Sequence, residues 1–211
     1  TKNGLKEKFG NRPEIANENI AAINAGHAYG ETIEVSGETS SYQVMPAPIE
    51  PGLYRTITGI EAISYGLMTG AQKADLKMTF AGYPITPASA ILHTLSKLKQ
   101  FNIITFQAED EIAAVGAALG ASYAGALGVT ASSGPGIALK SETIGLAISV
   151  ELPLIIINVQ RAGPSTGMPT KTEQSDLHQA VLGRNADSSL VVISASTPAD
   201  NFDVAIEAIR I

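Results

Sequence analysis

Gly128-Val129-Thr130-Ala131-Ser132-Ser133-Gly134-Pro135-Gly136 leads into a segment from Ile137 to about Val150, and then into Leu154-Ile155-Ile156-Ile157-Asn158-Val159. Gly128 to Ser132 reads as a strand, Ser133 to Gly136 as a sharp turn, and Ile137 onward as a helix. Leu154 to Val159 is Ile-rich, the pattern expected of a strand buried on both faces. Upstream the alternation continues. Ile103 to Gln107 reads as a strand, and Glu109, Asp110 and Glu111 open a helix through Ala124, where negative charge suits the N-terminal dipole. Lys77 to Ala81 reads as a short strand that meets Gly82-Tyr83-Pro84. Pro87 suits the first turn of a helix with Thr86 as its N-cap, running to about Gln100. Thr58 to Ala74 reads as a helix with Ile60, Ile63, Leu67 and Met68 on one face.

Downstream come a long irregular loop from Gln160 to Thr172, a helix near Glu173 to Leu182, a strand at Leu190 to Ser194 and a last helix started by Pro198. Strands and helices alternating in this way predict an α/β fold, a parallel sheet with helices on both faces. The composition shifts near Thr56. Before it, Asn17 to Gly30 fits one helix, with Ala21, Ala22, Ile23 and Ala25 as its small apolar positions. Glu31 to Pro51 strings together Ser, Thr, Gly, Glu and Pro and reads as an extended linker. The expected organisation is an appendage over 1–55 and a main domain over 56–211. The chain starts without Met and stops within an amphipathic pattern, so a fragment of something longer is expected, incomplete at its C-terminal end.

Composition narrows the function. The 211 residues hold 14 Lys+Arg against 20 Asp+Glu, a net charge of −6. With no basic cluster, a nucleic-acid surface is not expected, because phosphate contacts need concentrated positive charge. The absence of cysteine excludes disulfides, thiolate metal sites and iron–sulfur ligation by this chain. The most apolar stretch, Ile144 to Val159, carries Glu151 and Pro153, so no transmembrane segment is expected.

In a parallel α/β sheet, ligands sit beyond the carboxyl ends of the strands. That places the turns at Gly82–Thr86, Glu109–Glu111, Ser132–Gly136 and Arg161–Thr170 on one rim. The Ser132–Gly136 turn could hold an anion or let a ligand approach its backbone, or could be a plain tight turn; it is neither a Walker A loop nor G-x-G-x-x-G. The run Glu109-Asp110-Glu111 could be a solvated first turn, or could aim one carboxylate at a ligand nitrogen. Behind it lie Ala113, Ala114, Gly116, Ala117, Ala118, Gly120 and Ala121, small residues that allow close packing. Arg161 could bind a carboxylate or phosphate with its planar fork, or tie the loop that follows. His27, His93 and His178 receive no role, and no G-x-S-x-G elbow supports a serine nucleophile.

Four segments then match a family. Tyr83-Pro84-Ile85-Thr86-Pro87-Ala88-Ser89 resembles the YPITPSS motif of 2-oxoacid:ferredoxin oxidoreductase alpha subunits. Gln107-Ala108-Glu109-Asp110-Glu111-Ile112-Ala113-Ala114 resembles their Q-x-E-D-E segment. Thr130 to Gly136 is similar to their TSGPG turn. Gln160-Arg161 through Gly163-Pro164-Ser165-Thr166-Gly167 and Pro169-Thr170 to Gln174-Ser175-Asp176-Leu177 resembles their QR-x-GPSTG-x-PT…Q-x-DL signature. The likeness covers roughly Tyr54 to Ile211 and leans to the 2-oxoglutarate type, some of which carry a fused gamma domain upstream. Residues 1–55 resemble the tail of such a domain plus its linker.

The resemblance implies the pyrimidine-binding domain of a thiamine diphosphate enzyme, cytoplasmic and oligomeric. A partner beta subunit would supply the diphosphate and Mg²⁺ site and an iron–sulfur cluster. Ferredoxin would take electrons from the oxidative decarboxylation of a 2-oxoacid, and coenzyme A the acyl group. It implies Glu111 as the carboxylate on the pyrimidine nitrogen, Thr86 and Arg161 as contacts to the 2-oxoacid, and Tyr83, Pro84, Ser133, Gly134 and Pro135 as cofactor-binding positions, with no metal held by this chain. On its own the fragment would be inactive. A non-catalytic assembly module of the same fold, using the small-residue helix as an interface, is a second reading, and another thiamine-dependent class a third, opposed by the Arg161–Thr170 loop. Two departures stand out. Gly183-Arg184-Asn185-Ala186-Asp187 replaces a Gly-Glu type of turn, and the chain stops before a further strand, which would leave an exposed sheet edge.

Overall fold

The computed structural model describes residues 1–33 and 42–211. The chain divides into two compact units, Thr1–Leu53 and Tyr54–Ile211. In the first, α1 (Lys2–Lys8) precedes α2 (Pro13–Thr32), which carries Pro13 at its first turn. The helix expected over Asn17–Gly30 is therefore longer at both ends. The linker expected from Glu31 to Pro51 lies partly on residues 34–41, outside the described residues; residues 42–50 are exposed and form no helix or strand.

The second unit opens with α3 (Gly59–Lys73). Thr58 caps it: its Oγ1 accepts from the Glu61 N–H at 3.2 Å, and its own N–H donates to Glu61 Oε2 at 3.0 Å. This reciprocal pair satisfies two amides that the helix itself cannot. The order then runs β1 (Met78–Gly82), α4 (Ser89–Leu95), β2 (Ile103–Gln107), α5 (Glu111–Tyr123), β3 (Leu127–Ser132), α6 (Gly134–Ser149), β4 (Leu154–Asn158), α7 (Leu177–Leu182) and α8 (Asp200–Arg210). All four strands are parallel, in the order β2-β1-β3-β4.

Alternation along the strands assigns the two faces. Met78 and Phe80 of β1 and Leu127, Val129 and Ala131 of β3 join Leu67 and Ala71 of α3, Ile91, Leu92 and Leu95 of α4, and Ala205 of α8 in the main core. On the opposite face α5 lies directly on β3. A Cβ at Gly128 would overlap the carbonyl oxygen of Ala118 and Ser122 Oγ. Ser122 Oγ accepts from the Gly128 N–H at 3.1 Å and donates to the Pro153 carbonyl at 2.6 Å. Ala114, Val115, Ala118, Leu119 and Ser122 are buried there, so of the helix's alanines and glycines Ala114 and Ala118 are the ones packed inward.

Several local expectations are corrected. Thr86 is not an N-cap: the helix starts at Ser89, whose hydroxyl receives the Ile85 N–H at 2.8 Å and returns a bond to the Ile85 carbonyl at 2.9 Å. That local loop occupies the turn that Pro87 was expected to start, and a 3₁₀ turn at Lys99–Phe101 replaces the helix's end. The helix expected from Glu173 starts at Leu177, because Glu173 instead accepts the Gly163 N–H at 3.0 Å and the Asp176 N–H turns to Gln160 Oε1 at 3.4 Å. β4 is half-buried along its length rather than covered on both faces, because it is an edge strand. Leu190 to Ser194 forms no strand; with the sheet ending at β4, it pairs with no strand among the described residues, and its apolar side chains stay exposed. In the divergent turn, Ala186 sits at φ 58°, the left-handed region that favours glycine.

Gly66 fixes how α8 crosses α3. A Cβ there would overlap the Phe202 carbonyl oxygen and lie 2.8 Å from Ala205 Cβ. Gly66→Ala is expected to lower stability by about 1–3 kcal/mol, read as a lower denaturant midpoint of the full-length chain; an unchanged midpoint would refute the tight crossing.

Candidate functional site

The four parallel strands end on one edge, so the turns that follow them share a rim. Tyr83, just past β1, is buried, and its hydroxyl lies 2.7 Å from Oγ of Ser132, the last residue of β3. Gly136, in the first turn of α6, packs beneath them. A Cβ at this position would overlap Ser132 Oγ and Tyr83 Oη and lie 3.0 Å from Glu111 Cγ. Three side chains from β1, β3 and α5 thus converge on a spot where only hydrogen fits.

The acidic run divides its labour. Asp110 caps α5, its Oδ1 accepting the Ala113 N–H at 2.8 Å, and Glu109 and Asp110 are exposed. Glu111 is half-buried and turns toward Tyr83. Burial pushes the Tyr83 phenol well above its ordinary range. The Ser132 hydrogen bond opposes this, and the nearby Glu111 carboxylate adds to it. The phenol is therefore a neutral donor at any working pH.

Lys140, one helical turn beyond Gly136 and on the same face of α6, is 0% exposed. Its Nζ donates to the Glu111 carbonyl at 2.6 Å and lies 4.9 Å from the centroid of the Tyr83 ring. Burial lowers its pKa to about 8, against the pull of the Glu111 and Asp110 carboxylates. Nothing in the spacing of the sequence singled it out.

Arg161 is 8% exposed. Nη1 donates to the Thr86 carbonyl at 2.6 Å and Nη2 to the Thr166 carbonyl at 3.0 Å, while the buried Nε has no partner. It brings the Thr86 turn and the 161–170 loop together, and the loop is closed by a bridge between Ala162 and Met168. Two of its nitrogens thus tie loops, and the Thr86 side chain stays exposed. Glu111 and Arg161 act on the Tyr83 phenol in opposite senses, the carboxylate raising and the guanidinium lowering its pKa.

Pro84 is exposed on the same turn. Ser133 is buried, and its hydroxyl donates to the Val159 carbonyl at 2.7 Å, fastening α6 to the end of β4. Gly134 and Pro135 form the first turn of α6. The Asp176 carboxylate lies over Gly134, where a Cβ would come within 3.0 Å of Oδ2, and it accepts from Asn158 Nδ2 at 3.2 Å. Besides Lys140, the site residues not foreseen from sequence are Ser132 and Asp176, although both lie inside quoted motifs. Among the described residues no group of three His, Cys, Asp or Glu could hold a metal ion, and no helix is long and apolar enough to cross a membrane. Two surface concavities, one lined by residues 7–12 and the other by residues of 181–189, include none of the rim residues in their lining.

Because the folded state holds the Tyr83 proton more tightly, its contribution to stability is present below the ordinary phenol pKa of about 10 and is lost as pH rises through the folded value. Tyr83→Phe is expected to leave the tyrosinate absorbance unchanged up to about pH 11 and to cost about 1 kcal/mol in stability. Loss of one tyrosine's alkaline absorbance in that range would overturn the burial argument.

Residues 69–211 match the family described as pyruvate flavodoxin/ferredoxin oxidoreductase, thiamine diphosphate-binding. The 2-oxoglutarate oxidoreductase subunit KorA of Mycobacterium tuberculosis is 56% identical over 207 residues, 98% of this chain and 31% of that protein. The 2-oxoglutarate synthase subunit KorA of Archaeoglobus fulgidus is 47% identical over 133 residues, 63% of this chain and 38% of that protein. Among solved structures, the 2-oxoglutarate:ferredoxin oxidoreductase from Magnetococcus marinus with 2-oxoglutarate, coenzyme A and succinyl-CoA bound superposes with a TM-score of 0.80 at 37% identity, over 99% of this chain and 35% of that one. The chain thus spans about a third of the length of these relatives. With its parallel sheet, its rim of four turns and these matches, the chain belongs to the pyruvate flavodoxin/ferredoxin oxidoreductase family, in the region that binds thiamine diphosphate.

Proposed function

We propose that this chain is the pyrimidine-binding part of the alpha subunit of a 2-oxoacid:ferredoxin oxidoreductase, acting on 2-oxoglutarate. The observation that carries the reading is the convergence of Glu111, Tyr83 and Ser132 over Gly136, at the carboxyl edge of a parallel sheet. The donor set fits a thiamine diphosphate ring. A half-buried carboxylate can accept from a ring nitrogen, a neutral phenol stands beside it, and a buried guanidinium keeps one nitrogen unpartnered.

In this reading Glu111 holds a proton at the pyrimidine nitrogen, a relay suited to a partly buried carboxylate. Tyr83 and Pro84 on one turn, and Ser133, Gly134 and Pro135 on another, shape the walls around the ring. The chemistry supplied by bound thiamine diphosphate is addition of its thiazolium carbon to the 2-oxo carbon, which lets carbon dioxide leave. Thr86 donates its hydroxyl to the 2-oxoacid. Arg161 clamps the substrate carboxylate, with its loop ties holding the guanidinium in place.

The other half of the site belongs to a beta subunit, with Mg²⁺, the diphosphate and the iron–sulfur cluster; ferredoxin receives the electrons and coenzyme A the acyl group. The chain by itself is then inactive, residues 1–55 are the end of a gamma-like domain and its linker, and the assembly is cytoplasmic. A second reading, a non-catalytic assembly module, is favoured by the outer face of α5, where Ile112 is 58% and Tyr123 84% exposed beside Gly116 and Gly120. Restoration of thiamine-dependent 2-oxoglutarate oxidation when the full alpha chain meets its beta subunit separates the two.

Glu111→Gln is expected to lower turnover of the assembled enzyme by about 10²–10⁴-fold with unchanged circular dichroism; near-normal turnover would remove Glu111 from its role. Arg161→Ala is expected to raise KM for 2-oxoglutarate about tenfold or more, the loss of a charge-assisted pair. An unchanged KM with weakened cofactor binding would move Arg161 to a different task.

A further inference from the structure

Lys140 is a fully buried cation that the proposed chemistry does not use. Lysines are almost never fully buried unless paired, and this one is paired with a backbone rather than a carboxylate: its Nζ bonds the carbonyl of Glu111. That carbonyl belongs to the first residue of α5. It already serves the helix's own ladder, so Lys140 takes its second lone pair. The same Nζ sits over the face of Tyr83, the ring whose hydroxyl meets Ser132 and whose neighbour is the Glu111 carboxylate. One ammonium therefore joins α6, the end of β1 and the start of α5.

We propose that Lys140 is a positioning residue for Glu111: by pinning the carbonyl of α5's first residue from beneath, its charged ammonium holds the Glu111 carboxylate at the rim. This rests on the role given to Glu111 above and deepens it. The geometry supplies two reasons. A first helical turn is the part of a helix most prone to fray, and the carboxylate's direction follows the backbone there. The groups facing the ammonium are Glu111 and Asp110 at the start of α5 and Tyr83 from the end of β1. The two carboxylates favour the charged form, and burial opposes it. The ammonium is thus mostly charged at neutral pH and loses its proton as pH rises through about 8.

The test uses the full-length chain assembled with its partner subunit, as Lys140→Met and Lys140→Arg. Lys140→Met is expected to lower kcat about tenfold or more with KM for 2-oxoglutarate within about twofold, because the oxoacid meets Thr86 and Arg161 instead. By hydrogen-exchange mass spectrometry, the amides at the start of α5 are expected to exchange about tenfold faster. The parent is expected to lose kcat as pH rises through about 8, and Lys140→Met is expected to show no such alkaline limb. The limb moves upward in Lys140→Arg, whose guanidinium has no proton to lose there. Unchanged exchange at the start of α5, or an alkaline limb that persists in Lys140→Met, overturns the proposal. Should Lys140→Met fail to assemble, a parent-like limb in Lys140→Arg overturns it equally. If Glu111→Gln keeps its turnover, the chemistry assigned to Glu111 falls, while the exchange measurement still decides whether Lys140 orders its turn.

Discussion

The absence of a side chain at Gly136 is the constraint around which the rim is assembled. Because nothing but hydrogen stands there, Ser132 Oγ, Tyr83 Oη and the Glu111 side chain can meet over the first turn of α6. Each comes from a different element, and each element is seated by its own contacts. The Tyr83–Ser132 hydrogen bond joins the ends of β1 and β3. Ser133 fastens the start of α6 to β4 through Val159. Ser122 and Gly128 let α5 lie on β3. A methyl group at Gly136 would separate residues that lie far apart in the chain, since close-packed interiors absorb little extra volume.

The polar groups at the rim show why such a site is held from outside itself. Arg161 reaches across to the Thr86 carbonyl and back to its own loop at Thr166, so that two segments that lack regular structure have fixed positions. Asp176 covers Gly134 while being held by Asn158. These are backbone and side-chain bonds in a region of low dielectric, where a satisfied donor is well localised and an unsatisfied one is costly. The unpartnered Nε of Arg161 is thus the group at this rim with most to gain from a bound anion. The ties to Thr86 and Thr166 fix the direction of the Arg161 guanidinium.

Much of this was legible beforehand. The strands at Ile103–Gln107 and near Gly128–Ser132 and the helix over Thr58–Ala74 follow from apolar runs and periodicity, which act within a few residues. The misreadings have a common origin. Thr86 and Pro87 fit a helix start by type, but Ser89 found a better local partner in Ile85. Leu190 to Ser194 has a strand's composition but no neighbouring strand to pair with. Leu154 to Asn158 has the composition of a central strand and lies at the edge. In the site, a Glu-Asp-Glu run reveals acidity, not direction; Asp110 caps and Glu111 turns inward because α5 is seated on β3. Lys140 carries no signal of its own in the sequence; its burial follows from the packing of α6 against α5 and Tyr83.

What the amino-acid order determined alone is the succession of strands, turns and helices, the absence of thiol chemistry, and the four turns that carry the family's motifs. These depend on backbone propensity, periodicity and residue type, which neighbours in the chain decide. Tertiary structure alone decided the β2-β1-β3-β4 order, the seating of Tyr83, Ser132 and Glu111 over Gly136, and the burial of Lys140 against Glu111. Those outcomes turn on contacts between residues tens of positions apart, where excluded volume and the need to satisfy buried polar groups select one arrangement among several that the local signals permit.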